Sequence, residues 1–172
     1  MRRCLKIVGV MGSGRERHEA WSLPLGALLA RMGVHLLTGG GAGVREAVSE
    51  GMVGVEDRAG LAIGILPGRV EESGCEATPG YPNRHVELSI RTHLPGRGEE
   101  GGTPLSRNSI NIASADAVVM LPGGAGTASE GRLAIEFGKP VIGLGGGGER
   151  EGIAQAETLE EVEDYLRAVL GL

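Results

Sequence analysis

Two charged residues, Arg107 and Glu130, are the side chains of this sequence best placed to do chemistry. Glu130 ends the segment 122–130 (PGGAGTASE), and Arg107 lies in the polar run 106–111 (SRNSIN). A carboxylate beside a bound ligand can accept a proton from water or stabilise developing positive charge. An arginine in the first turn of a helix opposes the helix dipole, so that position is better explained if the arginine faces an anion. We therefore predict an anion-binding site that Arg107 faces, with Glu130 as a candidate functional carboxylate beside it.

Glu130 also has a purely structural interpretation. Thr127 and Glu130 have the spacing of a capping box, in which the glutamate accepts a hydrogen bond from the N–H of the N-cap residue. From the spacing alone, a helix cap and a functional carboxylate are equally good interpretations.

Glycine is concentrated in four segments, 12–14, 39–43, 123–126 and 145–148, which together hold 13 of the 32 glycines. Each segment follows an apolar run, where glycine lets backbone N–H groups approach an anion closely. Several such segments at one crevice favour a ligand that carries a phosphate. The predicted ligand contacts are Ser13, Gly39, Gly40, Gly41, Gly43, Asn108, Gly123, Gly124, Ala125, Gly126 and Thr127.

Several of these polar side chains have a second interpretation. Ser13 and Ser129 stand at predicted helix starts, where their hydroxyls fit a capping role as well as a phosphate contact. Asn108 and Asn111 could contact a sugar or a base, or could simply be solvated on a helix surface.

Familiar catalytic motifs are missing from the sequence. No glycine segment continues as Gly-Lys-Ser/Thr, and none has the Gly-x-Gly-x-x-Gly pattern of redox dinucleotide sites. No serine lies in a Gly-x-Ser-x-Gly elbow, and the four histidines (18, 35, 85 and 93) lack ligand spacing. We predict neither a metal site nor a cofactor.

The elements that must position these residues alternate along the chain. Apolar runs predict strands over 5–11, 34–38, 61–66, 86–92, 117–121 and 141–144. Helical spacing and end signals predict helices over 16–32, 44–53, 103–114, 127–137 and 159–170, with 69–84 irregular. Thr103-Pro104 is the predicted opening of the third helix, Gly33 ends the first, and a capping box at Thr158 and Glu161 opens the last.

Alternating strands and helices, with nearly continuous apolar strands, predict a parallel sheet covered on both faces. The fold class is therefore α/β, a Rossmann-like, doubly wound sheet. The length suits one domain over residues 1–172. In such sheets ligands bind at the carboxyl ends of the strands, where the strand order reverses.

The bulk composition excludes several classes of partner. A net charge of −5 and an aromatic content of 2% argue against nucleic-acid binding, which uses basic surfaces and stacking rings. No apolar run is long enough for a membrane span, and 5–11 is too short for a signal peptide. Cys4 and Cys75 are expected to be free thiols, and the protein is expected to be cytoplasmic.

The segment 122–130 resembles the PGGxGTxxE signature of the LOG ("Lonely Guy") family, cytokinin riboside 5′-monophosphate phosphoribohydrolases and their bacterial relatives. Residues 38–44 (TGGGAGV) and 64–67 (GILP) resemble the family's second and third strand exits. The resemblance implies that Arg107 and Glu130 are catalytic and that a nucleoside 5′-monophosphate is cleaved to a free base and ribose 5-phosphate. It also implies a homo-oligomer.

Some positions resemble instead a sister group that includes molybdenum cofactor carrier proteins. Ala125 stands where the phosphoribohydrolases have an aromatic residue, Ser129 replaces a second glutamate, and Arg107 is followed by Asn108. This implies the alternative of a non-catalytic carrier or sensor for a phosphorylated pterin or nucleotide. The family's other label, lysine decarboxylase, is rejected, because neither Lys6 nor Lys139 is placed to form a Schiff base with a pyridoxal cofactor.

Overall fold

The computed structural model describes residues 5–71, 74–94 and 106–172. Its strands are β1 (Ile7–Met11), β2 (His35–Thr38), β3 (Ala62–Leu66), β4 (Gly68–Glu71), β5 (Gly74–Ala77), β6 (Leu88–Arg91), β7 (Ala117–Met120), β8 (Val141–Leu144) and β9 (Ala154–Ala156). Its helices are α1 (Glu19–Met32), α2 (Val44–Val53), α3 (Arg107–Ser114), α4 (Ala125–Glu136) and α5 (Leu159–Leu170). None of the helices in the described ranges is both long and apolar enough to cross a membrane.

Seven strands form one parallel sheet in the order β6-β3-β2-β1-β7-β8-β9. The chain starts in the middle at β1, builds outward through β2 and β3 to β6, and then returns to place β7 on the other side of β1. The strand order therefore reverses between β1 and β7, which makes their carboxyl ends the expected site of a ligand.

Alternate residues along the central strands pack on opposite faces of the sheet. Val8 and Val10 of β1 belong to a cluster with α1, α2 and α5, whereas Met11 belongs to a cluster with α3 and α4. The same alternation places Val119 in the first cluster and Val118 in the second. The prediction of an α/β fold with helices on both faces is therefore confirmed.

Two parts of the predicted architecture are wrong. The stretch predicted as irregular contains the antiparallel pair β4 and β5, and the sheet gains a seventh strand, β9, at its edge. Both features are strands of three or four residues without a long apolar run, so their backbone pairing leaves little trace in the sequence.

The ends of the helices follow local signals except at the starts of α1, α3 and α4. α2 and α5 have the predicted bounds, and α5 opens with the predicted capping box of Thr158 and Glu161. α1 starts at Glu19 rather than at 16, because the N–H groups of Arg15 and Glu16 bond to the Ser13 hydroxyl in a preceding turn. α4 starts two residues earlier than predicted, at Ala125.

The start of α3 also differs from the predicted one. Ser106 is its N-cap, and the Ser106 hydroxyl accepts a hydrogen bond from the N–H of Ser109 at 3.3 Å. The predicted opening at Thr103-Pro104 lies outside the described residues, as does Cys4. Arg107 is therefore the first residue of the helix, in the first turn as expected.

Candidate functional site

A cleft of about 660 Å³ lies at the carboxyl ends of β1 and β7, where the strand order reverses. This volume is typical of sites for small molecules. The residues that line it are Gly12, Ser13, Gly14, Arg15, Arg45, Tyr81, Arg107, Asn108, Gly124, Ala125, Gly126, Thr127 and Glu130. Both candidate catalytic residues and six of the eleven predicted ligand contacts are among them.

The start of α4 borders this cleft with N–H groups that have no acceptor among the described residues. Gly124 is the N-cap and provides no side-chain cap, and the first helical hydrogen bond runs from the N–H of Ala128 to the Gly124 carbonyl at 3.0 Å. The N–H groups of Ala125, Gly126 and Thr127 precede that bond, so the helix itself leaves them without acceptors. With the positive end of the helix dipole, they form a ready anion site.

The exits of β1 and β7 are fastened to each other and to α2. The N–H of Ser13 donates to the Pro122 carbonyl at 3.0 Å, and the N–H of Val44 donates to the Ser13 carbonyl at 2.9 Å. A Cβ on Gly123 would lie 2.9 Å from the Ser13 nitrogen and would collide with the Thr127 hydroxyl. Glycine at 123 is thus required by the close approach of these two loops, and Gly123 itself does not line the cleft.

Arg107 projects from the first turn of α3 into the interior and is 1% exposed. Its guanidinium lies against Gly39 at the exit of β2, where any Cβ would collide with the Nη1 atom. A glycine that we expected to contact the ligand therefore makes room for the arginine instead. The arrangement fixes a buried cation at one wall of the cleft.

Arg45, which sequence reasoning missed, is a second cation in the cleft. It is the second residue of α2, and its guanidinium lies next to Gly14 while its Cδ lies next to Gly39. The signal was present in the sequence, because Arg45 lies two residues after the glycine segment 39–43 and sits at a helix start, where a cation opposes the dipole. The position of a cation in the first turn of a helix is also what singled out Arg107.

Glu130 lies in the second turn of α4 and is only 6% exposed. Its carboxylate makes no hydrogen bond or ion pair with any residue in the described part of the chain. Burial raises the pKa of Glu130 above its ordinary value, and the charges of Arg45 and Arg107 offset only part of that rise. A buried carboxylate without a partner is costly, which makes it a candidate for function rather than for stability.

The capping-box interpretation of Glu130 is wrong. Gly124 rather than Thr127 is the N-cap of α4, so Thr127 lies within the first turn of the helix. The Ser129 hydroxyl donates to the Gly126 carbonyl at 2.8 Å and also does not cap the helix. Ser13 keeps its capping-like role, since its Oγ accepts from the N–H groups of Arg15 and Glu16 at 3.1 and 2.9 Å.

Asn108 and Asn111 are not solvated, which removes one of the two interpretations of these residues. They are 2% and 0% exposed on α3. The Oδ1 atom of Asn108 and both amide atoms of Asn111 have no hydrogen-bond partner among the described residues. Asn108 lines the cleft, so its free acceptor is available to a ligand there.

The four glycine segments do not all converge on one crevice. Gly39, Gly40, Gly41 and Gly43 do not line the cleft, and Gly43 has a φ of 71°, which favours glycine. The segment after β8 instead borders a second cavity of about 260 Å³. That smaller cavity is lined by Gly123, Thr127, Ala128, Gly131, Gly146, Gly148, Glu149, Arg150 and Ile153.

The buried Glu130 carboxylate should make the free protein less stable as the pH rises. Folding raises the pKa of Glu130. Its favourable contribution to the free energy of unfolding is therefore complete below the unfolded pKa near 4.5 and is lost as the pH increases through the folded pKa. At pH 8, Glu130→Gln is therefore expected to raise the free energy of unfolding over that of the wild type by on the order of 1 kcal/mol, which raises Tm by about 2–4 °C, and the gain should be smaller at pH 5. Thermal melts across this pH range measure the effect.

The matched control for these melts is Glu136→Gln, on an exposed glutamate of the same helix. It should change Tm little at either pH. A Glu130→Gln protein that is less stable than the wild type at pH 8 would show that the carboxylate has a stabilising partner.

Comparison with known proteins gives a consistent family assignment. A sequence model of the SLOG cluster4 family matches residues 5–169. A protein from Archaeoglobus fulgidus is 31% identical over 160 residues, which is 92% of this chain and 92% of that protein. The match to the family model confirms the resemblance to the LOG family that the segment 122–130 indicated.

Solved structures with the same fold cover nearly the whole chain. The molybdenum cofactor binding protein from the phototrophic bacterium Rippkaea orientalis matches with a TM-score of 0.78 and 29% identity, over 98% of this chain and 99% of that one. The molybdenum cofactor carrier protein from Chlamydomonas reinhardtii matches with a TM-score of 0.72 and 25% identity, over 98% and 100%. The cleft therefore lies within the shared fold.

Proposed function

The chain belongs to the SLOG cluster4 family, and from that premise we propose that its cleft binds a small molecule that joins a phosphate to a heterocycle. The start of α4 supplies N–H groups and a positive dipole end for the phosphate. Arg45 and Arg107 add two cations in the same cleft, and guanidinium groups match phosphate oxygens well.

The activity that we propose is hydrolysis of the N-glycosidic bond of a nucleoside 5′-monophosphate. The observation that carries this proposal is Glu130, a buried carboxylate that has no hydrogen bond or ion pair with the described residues and lines a cleft with two arginines. Burial raises its pKa, which makes the ionised form a better proton acceptor near neutral pH than an ordinary glutamate.

The proposed reaction consumes one water molecule. The water oxygen forms a bond to C1′ of the ribose while the bond from C1′ to the base nitrogen breaks, and the base leaves with that electron pair. Glu130 orients the water, accepts its proton and stabilises the positive charge that develops on the sugar. Arg107 positions the substrate and reduces the negative charge on the leaving base, which gains a proton from solvent.

The two lysines support the rejection of a pyridoxal-dependent decarboxylase. Lys139 donates to the carbonyls of Ala113 and Ala115 at 2.8 and 2.7 Å, and Lys6 pairs with Asp116 at 3.8 Å. Neither lines the cleft. A Schiff base in the cleft needs a lysine there.

Incubation with AMP and related monophosphates tests the proposed hydrolysis. We expect free base and ribose 5-phosphate in equal amounts, separated and measured by chromatography. Undetectable turnover, or turnover that survives both Arg107→Ala and Glu130→Ala, would overturn the proposed activity.

The second candidate function is a carrier of a phosphorylated pterin or nucleotide. It is supported by the similarity to the solved structures of a molybdenum cofactor binding protein and a molybdenum cofactor carrier protein. A carrier needs the same cleft and the same phosphate contacts, but no proton transfer by Glu130. Tight binding of AMP or a phosphorylated pterin without any product would favour this candidate.

Ala125→Pro tests the anion site at the start of α4. Proline is tolerated at the first helical position and removes one N–H, and Gly124 before it already has the extended backbone that proline requires (φ −95°, ψ −154°). Loss of one charge-assisted hydrogen bond should weaken AMP binding roughly tenfold or more, with Tm little changed. Calorimetric titration measures the affinity.

Ala125→Ser is the matched variant, because it changes the side chain and keeps the N–H. It should bind AMP about as the wild type does. Unchanged binding by Ala125→Pro would exclude the N–H of residue 125 from the phosphate site.

A further inference from the structure

We propose that Tyr81 is the platform on which the heterocycle of the ligand lies, an inference that rests on the proposed function. Tyr81 is half-buried and lines the same cleft as Arg45, Arg107 and Glu130. A flat aromatic side chain stacks on purine and pterin rings with little dependence on their substituents. Sequence reasoning did not single out this residue.

The segment that carries Tyr81 is tied to the exit of β2. The N–H of Asn83 donates to the Gly40 carbonyl at 2.7 Å, and the Asn83 side-chain amide donates to the Gly41 carbonyl at 2.8 Å. The N–H of Tyr81 itself donates to the Thr78 carbonyl at 3.1 Å. These bonds fix the backbone of the segment that carries Tyr81 without any ligand.

The absence of a side chain at Gly41 leaves the space that the Tyr81 ring occupies. A Cβ on Gly41 would lie 2.9 Å from Cε1 of Tyr81 and 3.1 Å from its Cζ and Oη, closer than side chains normally approach. Gly41 does not have a positive φ, so its backbone would accept another residue and the ring is what excludes one. Gly41, which the sequence predicted as a phosphate contact, thus makes room for the Tyr81 ring instead.

The sheet order sets a suitable distance between the two ends of a ligand. β2 and β7 lie on either side of β1, so their exits are roughly 10 Å apart. The phosphate site at the start of α4 follows β7, and Tyr81 covers the exit of β2. A molecule that spans this gap places its sugar between them, near Arg107 and Glu130.

Aromatic residues are scarce in this protein, which makes one in the cleft informative. The chain has four, and Tyr81 is the one that lines the cleft. Trp21 instead packs beside Gly145, and Tyr165 bonds through its hydroxyl to the Val141 carbonyl at 3.2 Å.

The test compares AMP with ribose 5-phosphate, which keeps the phosphate and lacks the base. Titrations use the Glu130→Gln background, which leaves AMP intact. We expect Tyr81→Leu to weaken AMP binding roughly 10- to 100-fold and ribose 5-phosphate binding less than twofold, while Tyr81→Phe restores the AMP affinity. That pattern separates stacking from a structural role.

Two results would overturn the inference about Tyr81 and leave the proposed function standing. In the first, Tyr81→Leu leaves AMP binding unchanged; in the second, it weakens the binding of AMP and of ribose 5-phosphate equally. If neither the wild type nor the Glu130→Gln protein binds AMP, the proposed function fails and the inference fails with it. The two failures are therefore distinguishable in one set of titrations.

Discussion

Glu130→Gln is expected to lower the rate of AMP hydrolysis by about 10²–10⁴-fold, the range that a general base contributes, while AMP still binds. Glutamine keeps the shape of the side chain but cannot accept a proton from water. Glu130 has no protein partner in the described ranges, so the substitution breaks no internal ion pair. The loss should therefore appear in kcat rather than in the dissociation constant of AMP.

The pH profile of the wild type provides an independent readout. A general base must be ionised, so the rate should fall as the pH drops through the pKa of Glu130. Burial raises that pKa, so the fall should occur at a higher pH than for an ordinary glutamate. Glu136→Gln, on the exposed side of the same helix, should change neither the rate nor the profile. Full activity of Glu130→Gln would exclude Glu130 as the base.

Arg107→Met is expected to weaken AMP binding by roughly 10- to 100-fold, which corresponds to the loss of a charge-assisted hydrogen bond of about 1.5–3 kcal/mol. It should also raise the pKa of Glu130 further, because the Arg107 charge lowers it. The acid side of the pH–rate profile should then move to higher pH. Arg107→Lys should restore the pKa of Glu130 more fully than it restores the affinity for AMP, because lysine keeps the positive charge but lacks the planar fork of the guanidinium.

Two further variants keep this test interpretable if Arg107→Met folds poorly. Gly39→Ala keeps the arginine at position 107 but displaces its guanidinium, because the new Cβ would collide with Nη1. It should weaken AMP binding in the same direction. Arg132→Ala, an exposed arginine on α4, is the control and should bind AMP normally. Normal binding by both Gly39→Ala and Arg107→Met would exclude Arg107 from the site.

Much of the fold could be predicted because its signals are local. The bounds of α2, β8 and α5 agree with the prediction, since a glycine segment, a short apolar run and a capping box mark them in the sequence itself. β9 and the β4–β5 hairpin were missed because short strands depend on neighbours distant in the chain for their hydrogen bonds.

The candidate site was predictable only in part. Arg107 and Glu130 lie in the same cleft, as their types and surroundings suggested. The glycines after β2 were assigned to the ligand, yet Gly39 and Gly41 make room for Arg107 and Tyr81. The sequence shows that glycine is needed there but not which atom approaches it, because that atom belongs to a distant segment.

A crystal structure of the Glu130→Gln protein with AMP tests the central claim most directly, namely that the cleft holds a phosphorylated heterocycle at the start of α4. We expect phosphate oxygens within hydrogen-bond distance of the N–H groups of Ala125, Gly126 and Thr127, and the adenine against Tyr81. Phosphate density at any other place, or an empty cleft at saturating AMP, would contradict it.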